Sequence, residues 1–325
     1  MIKYGNGILL GRATEIPDLD PFTRRYLHQL DSINRSFYNQ YHPISLEEYI
    51  KEVSIIREST LSGPLDVTPA MVKTEALDPE LAEIGWQGFN FPWCTIYSTK
   101  HYQRGIRLLI NKYPNDWRPH RIRPVLLFDK EANRKNKHIG RMAMIQSKNL
   151  DKIAPEKIWE PGIQRRRHPR TQYQTILWSH QKKIIPATSI FTNLVSNYDL
   201  EVHSIASISL QRVNVPKEPI LCNFTTLQNI THSVRTPFGY SNTTYGGDTW
   251  SVPLNPPPQG LGQGNGAAPD IWAILRTLLL NCLRKLGHGS ALKCCISGDT
   301  TRLVGYYFVY DSTIFQIYPF PNTHT

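Results

Sequence analysis

Phe308-Val309-Tyr310-Asp311-Ser312 lies between two apolar, β-rich runs, residues 303–309 (Leu-Val-Gly-Tyr-Tyr-Phe-Val) and 313–318 (Thr-Ile-Phe-Gln-Ile-Tyr). Two such runs around a short polar break predict a β-hairpin with Asp311 at its turn. Upstream, residues 259–269 read Gln-Gly-Leu-Gly-Gln-Gly-Asn-Gly-Ala-Ala-Pro. They lead into an apolar stripe of Ile271, Ile274, Leu275, Leu278, Leu279, Cys282, Leu283 and Leu286. That spacing has a helical period, and Gly287 follows it as a C-cap glycine would. A glycine loop, a helix, a strand and an acid-tipped hairpin therefore follow one another in the last quarter of the chain.

The composition sets the class of partner. The chain has 325 residues, 40% hydrophobic and 19% charged, as in an ordinary globular protein. Its formal net charge is +11 and its pI about 9.4. Such a balance favours a polyanion, nucleic acid before an acidic membrane surface, with plain solubility charge as the competing explanation. The five cysteines are odd in number, with no Cys-x-x-Cys and His set at zinc spacing. They predict reduced thiols and an intracellular protein, in cytoplasm or nucleus. The start is not that of a signal peptide. The longest apolar stretch, residues 271–286, carries Arg276, Asn281 and Arg284 and is too short to span a bilayer.

Local signals organise the rest. Phe22, Tyr26, Leu27, Leu30 and Ile33 follow helical spacing. Ser45 and Glu48 form a capping box, with Leu46, Ile50, Val53 and Ile56 on one face of the helix it starts. Thr68-Pro69 is an N-cap and first-turn pair. Residues 84–102 are rich in aromatics, which are read mainly as core and secondarily as base-stacking groups. Residues 106–110 form an apolar run, 125–128 a buried strand, and a helix is expected after 136–141. Residues 171–182 and 200–213 are expected to be helical, and Ile220, Phe224, Leu227 and Ile230 mark another helix. Residues 189–194 and 292–297 are expected to be strands, and 239–248 a turn-rich loop. Arg165-Arg166-Arg167 is expected to be a solvated loop. The domain expectation is an N-terminal helical segment at 1–60 and two larger regions at 61–185 and 186–325.

Three blocks carry a resemblance. Residues 191–199 read Phe-Thr-Asn-Leu-Val-Ser-Asn-Tyr-Asp, residues 263–269 Gln-Gly-Asn-Gly-Ala-Ala-Pro, and residues 308–311 Phe-Val-Tyr-Asp. In this order the set resembles the palm of a reverse transcriptase, of the kind carried by non-long-terminal-repeat retroelements. The likeness runs from about residue 60 to the end, and its closest block is the glycine loop. It implies an α+β fold of polymerase fingers and palm, with helices packed on a small antiparallel sheet. It implies magnesium as cofactor, deoxynucleoside triphosphates as substrates, and an RNA template or RNA–DNA hybrid as partner. By resemblance, Asn193, Tyr310 and Asp311 hold the catalytic positions, Asn193 and Asp311 being the metal positions. Gln263, Gly264 and Asn265 take the place of the nucleotide loop. Lys112, Arg123 and Lys137 resemble finger residues, of which Lys112 and Arg123 are expected to reach the triphosphate.

The departures matter as much as the likeness. Copying a nucleic acid uses two divalent ions, which take hard oxygen ligands from converging carboxylates. The family has aspartate where this chain has Asn193 and Tyr310. If each lost carboxylate removes about 3–4 kcal/mol of transition-state stabilisation, each costs at least about 10²–10³ in rate. The expectation is an inactive or nearly inactive polymerase. Arg276 also stands where the family has a small residue. Only 14 residues follow Asp311, so the thumb is expected to be missing or supplied by a partner chain. The competing reading is a basic nucleic-acid-binding module without catalysis. Taken singly, Asp311 is read first as a turn aspartate, and Asp199 first as a helix N-cap. The oligomeric state is left open.

Overall fold

The computed structural model describes residues 44–58, 63–114, 116, 118, 121–154, 187–193, 198, 201–236, 239–246, 260–293, 297–298, 300–308 and 311–317. They form a mixed helix-and-sheet protein with seven helices among the described residues. The chain divides into two compact units. One takes its described residues from Ser32–Gln146 and Tyr198–Ile271, the other from Ser147–Asn197 and Trp272–Thr325. The expected helices at 22–33 and 171–182, the arginine run at 165–167 and Asp199 lie outside the described residues.

The first unit opens with three helices, α1 (Leu46–Ser54), α2 (Pro69–Glu75) and α3 (Pro79–Thr95). Each start is held by a side-chain cap. Ser45 and Glu48 exchange both bonds of the capping box, the Thr68 hydroxyl accepts from Met71 N, and Asp78 caps α3 ahead of Pro79. Tyr49, Val53, Phe89 and Ile139 share one core cluster with Ile44. The aromatic stretch divides. Phe89 and Tyr102 are buried, Trp86 packs on the cluster and donates to Ile44 O at 2.6 Å, and Phe91 and Tyr97 are exposed.

A four-stranded sheet follows in the order β2-β1-β4-β5, built from β1 (Arg104–Asn111), β2 (Ile122–Phe128), β4 (Thr231–Thr236) and β5 (Gly239–Gly246). β1 pairs antiparallel with β2 and parallel with β4. The parallel pair needs a long crossover, and α5 (His203–Arg212) and α6 (Lys217–Gln228) precede β4 along that path. Two expectations are corrected here. Residues 239–246 form a strand rather than a loop, paired with β4. The helix expected after 136–141 instead contains those residues: α4 runs Lys130–Asn149, and the Asp129 carboxylate accepts from Glu131 N and Ala132 N at its start.

The second unit holds an antiparallel three-stranded sheet, β3-β9-β8, made of β3 (Ala187–Asn193), β8 (Gly305–Phe308) and β9 (Asp311–Ile317). The hairpin expected around Asp311 is β8–β9, with Phe308 paired to Asp311 across a two-residue connection. A second pair joins β6 (Ser290–Lys293) to β7 (Thr300–Leu303), so the strand expected at 292–297 starts earlier. Helix α7 (Ala268–Lys285) carries the chain from one unit into the other. Within the second unit its Leu280 packs with Ala154 and Val304. Gly287, at φ +84°, ends α7, and His288 N donates to Leu283 O.

Candidate functional site

β3 and β9 run side by side in strict antiparallel register, from Ala187 opposite Ile317 to Asn193 opposite Asp311. The last described residue of β3 and the first of β9 are therefore direct neighbours at one end of the sheet. β8 reaches the same end through Phe308. The fold thus brings Asn193 and Asp311 together, and Tyr310 lies outside the described residues.

The expected triphosphate contacts are in the first unit. Arg123 pairs with Ile110 across the β1–β2 hairpin, and Lys112 N donates to Arg121 O at 2.8 Å beyond the end of β1. Side chains two residues apart on a strand share a face, as do direct cross-strand partners. Lys112, Arg121 and Arg123 accordingly lie on one face of the hairpin. Arg121 is the residue the sequence reading passed over. Its guanidinium sits 5.1 Å from the Tyr113 ring centroid and 4.0 Å from Asp116. Asp116 is engaged more closely by exposed Arg118, at 2.7 Å. The signal that marked it was the alternation Arg121-Ile122-Arg123, visible once the strand is known.

Lys137 is not part of that face. It lies on α4, beside the glycine loop: a Cβ built on Gly266 would stand 2.8 Å from Lys137 Cβ. The loop itself is held by β2 and α4. Gln263 O accepts from Leu126 N at 2.7 Å, and Gly266 N donates to Asn133 Oδ1 at 2.6 Å. Asn265 is buried, donates from Nδ2 to Leu261 O and accepts at Oδ1 from Ala267 N. Its amide shapes the loop into α7. Gly264 adopts φ +117° with its Cα against the β2 backbone.

Beside α4 lies a cavity of 820 Å³ with charged walls. Burial alone would raise the Glu52 carboxyl, but His138 and Arg141 outweigh it and hold the group below the usual carboxylate range. Arg141 Nη1 donates to Glu52 Oε1 at 2.8 Å and His138 Nδ1 at 3.1 Å. Glu75 is shifted the other way by burial and by the Glu131 charge. Lys135, on α4, is buried with Nζ 4.0 Å from the Tyr102 ring centroid, and burial pushes its ammonium down to about 8. On α7 the Arg276 guanidinium carbon stands 3.5 Å from the Trp272 ring centroid.

Compared with known proteins, the chain matches no protein family and no curated relative. The chemistry of the paired positions is nonetheless plain. A pair of divalent ions calls for several carboxylates, whereas Asn193 and Asp311 supply one amide and one carboxylate. That donor set does not fit a two-magnesium centre. Among the described residues, no group of three or more His, Cys, Asp or Glu is placed to hold a metal. No helix among them is long and apolar enough to cross a membrane.

Proposed function

We propose that this chain is a reverse-transcriptase-like fingers-and-palm polypeptide that binds nucleic acid and has lost templated synthesis. The observation that carries the reading is the register of Asn193 opposite Asp311, at the end of a sheet whose other strand enters a two-residue hairpin connection. The sequence resemblance assigned these two residues to one metal centre, and positions from distant parts of the chain need not have met. Support for binding comes from the cationic face of Lys112, Arg121 and Arg123 and from the net charge of +11.

The loss of activity follows from charge. An amide oxygen can coordinate an ion but does not offset its charge, and a tyrosine phenol stays neutral at pH 7 with a pKa near ~10. The decisive assay is primer extension on an RNA template with magnesium and deoxynucleotides. The natural chain is expected to extend primers at background level. The comparison is the variant Asn193→Asp with Tyr310→Asp, where any gain would mark the two lost carboxylates as the cause. Robust extension by the natural chain would overturn the reading.

A further inference from the structure

We infer that the open face of β1, β4 and β5 is a binding surface for single-stranded nucleic acid, with Tyr240 as the base-stacking platform. The inference rests on the nucleic-acid reading above and names a surface apart from the hairpin cations and from the end of β3 and β9.

The surface follows from register. Arg104 stands beside Thr231, Ser233 beside Thr244, and Arg235 beside Tyr240. Arg104, Thr231, Ser233 and Thr244 alternate onto one face of the sheet. The β4–β5 register shifts between Ser233 and Arg235, and Tyr240 beyond the shift lines the same groove as those four residues. The same face lines a groove of 670 Å³ that also takes in Lys100. Every residue of β5 except Gly246 is exposed, and its sequence, Gly-Tyr-Ser-Asn-Thr-Thr-Tyr-Gly, carries no aliphatic side chain. A strand so polar is held by its ladder to β4 rather than by burial. Tyr240 keeps 52% of its surface accessible, and the Arg235 guanidinium stands 5.4 Å from its ring centroid. An exposed aromatic ring on a sheet, flanked by cations and hydroxyl groups, matches what unpaired bases and their phosphates require. A duplex hides its base faces and has no use for the ring. Charge decides the occupant: exposed Lys100 and Arg104 line the groove with Asp66, and exposed Arg235 stands at the Tyr240 ring.

The test is fluorescence anisotropy of the full chain with two probes, a short fluorescein-labelled oligouridylate and a labelled RNA–DNA hybrid. Tyr240→Ala is expected to weaken oligouridylate about tenfold, the effect of losing one base–aromatic stack. Tyr240→Phe keeps the ring and is expected to bind as the natural chain does. Charge reversal by Lys100→Glu with Arg104→Glu is expected to abolish single-strand binding and leave hybrid binding in place. Unchanged oligouridylate affinity in Tyr240→Ala overturns the inference, as does a natural chain that binds hybrid alone; in both cases the wider nucleic-acid reading survives. Loss of both probes from the natural chain removes both. Sedimentation velocity distinguishes the remaining occupant. Concentration-dependent self-association through β5, without oligouridylate binding, would make the face a protein interface and overturn the inference.

Discussion

Gly264 and Gly287 both adopt left-handed backbone, at φ +117° and +84°, yet they differ in what surrounds them. A Cβ on Gly287 would meet nothing within 4 Å, whereas one on Gly264 would stand 2.1 Å from Leu126 O. Gly287→Ala therefore carries backbone strain alone, about 1 kcal/mol. Gly264→Ala adds a collision with a strand backbone that has no room to move, for about 3 kcal/mol in all. Urea melts of the two variants measure the difference, and equal losses would mean that the loop yields at Gly264. The need for glycine at 287 was legible, because a glycine after a long apolar stripe marks a helix end. The close approach at 264 was not, since Leu126 lies far away in the chain.

At the scale of elements, the capped starts of α1 and α2 were the most legible features. A capping box needs only residues three apart, so Ser45 and Glu48 declare α1 without any tertiary context. β5 was read as a loop because it buries almost nothing and so shows no hydrophobic alternation. Its evidence lay in β4, across the sheet. Helix α5 offers a different lesson. His203 at its start is buried, donates from Nε2 to Gly260 O at 2.6 Å and accepts at Nδ1 from Gln228 Nε2 at 3.2 Å. Burial pushes its imidazole down to about 4, only partly opposed by Gly260. Burial, then the Arg107 charge, does the same for His232, also to about 4. Both groups are depressed below the ordinary 6.5. The unfolded chain therefore takes up protons first, and stability is complete above about pH 6.5 and lost as pH falls towards 4. Denaturant melts across that range are expected to show the decline, with a shallower slope in His203→Gln. A flat profile would mean that water reaches the ring.

For the molecule as a whole, charge makes the most direct prediction. Binding that rests on phosphate contacts weakens with salt, by a log–log slope of about −0.9 per contact on a duplex. Removing two of the hairpin cations in Lys112→Ala with Arg123→Ala is expected to reduce the slope for an RNA–DNA hybrid by roughly 2. An unchanged slope would place the phosphates elsewhere on the molecule. The two units divide this chemistry between them. The cationic hairpin and glycine loop belong to one, while Asn193 and Asp311 belong to the other.

The amino-acid sequence alone determined the capped starts of α1 and α2, the β8–β9 hairpin, the apolar stripe of α7 and the basic character of the chain. All of these arise from residues a few positions apart or from a simple sum of charges. Only the tertiary structure decided that β1 lies parallel to β4, that Gln263 bonds to Leu126, and that Asn193 stands opposite Asp311. Those pairings join backbone groups of nearly identical chemistry across long loops. Nothing local distinguishes the right partner from the wrong one, and the choice is made by which register lets the whole sheet pair and its helices pack at once.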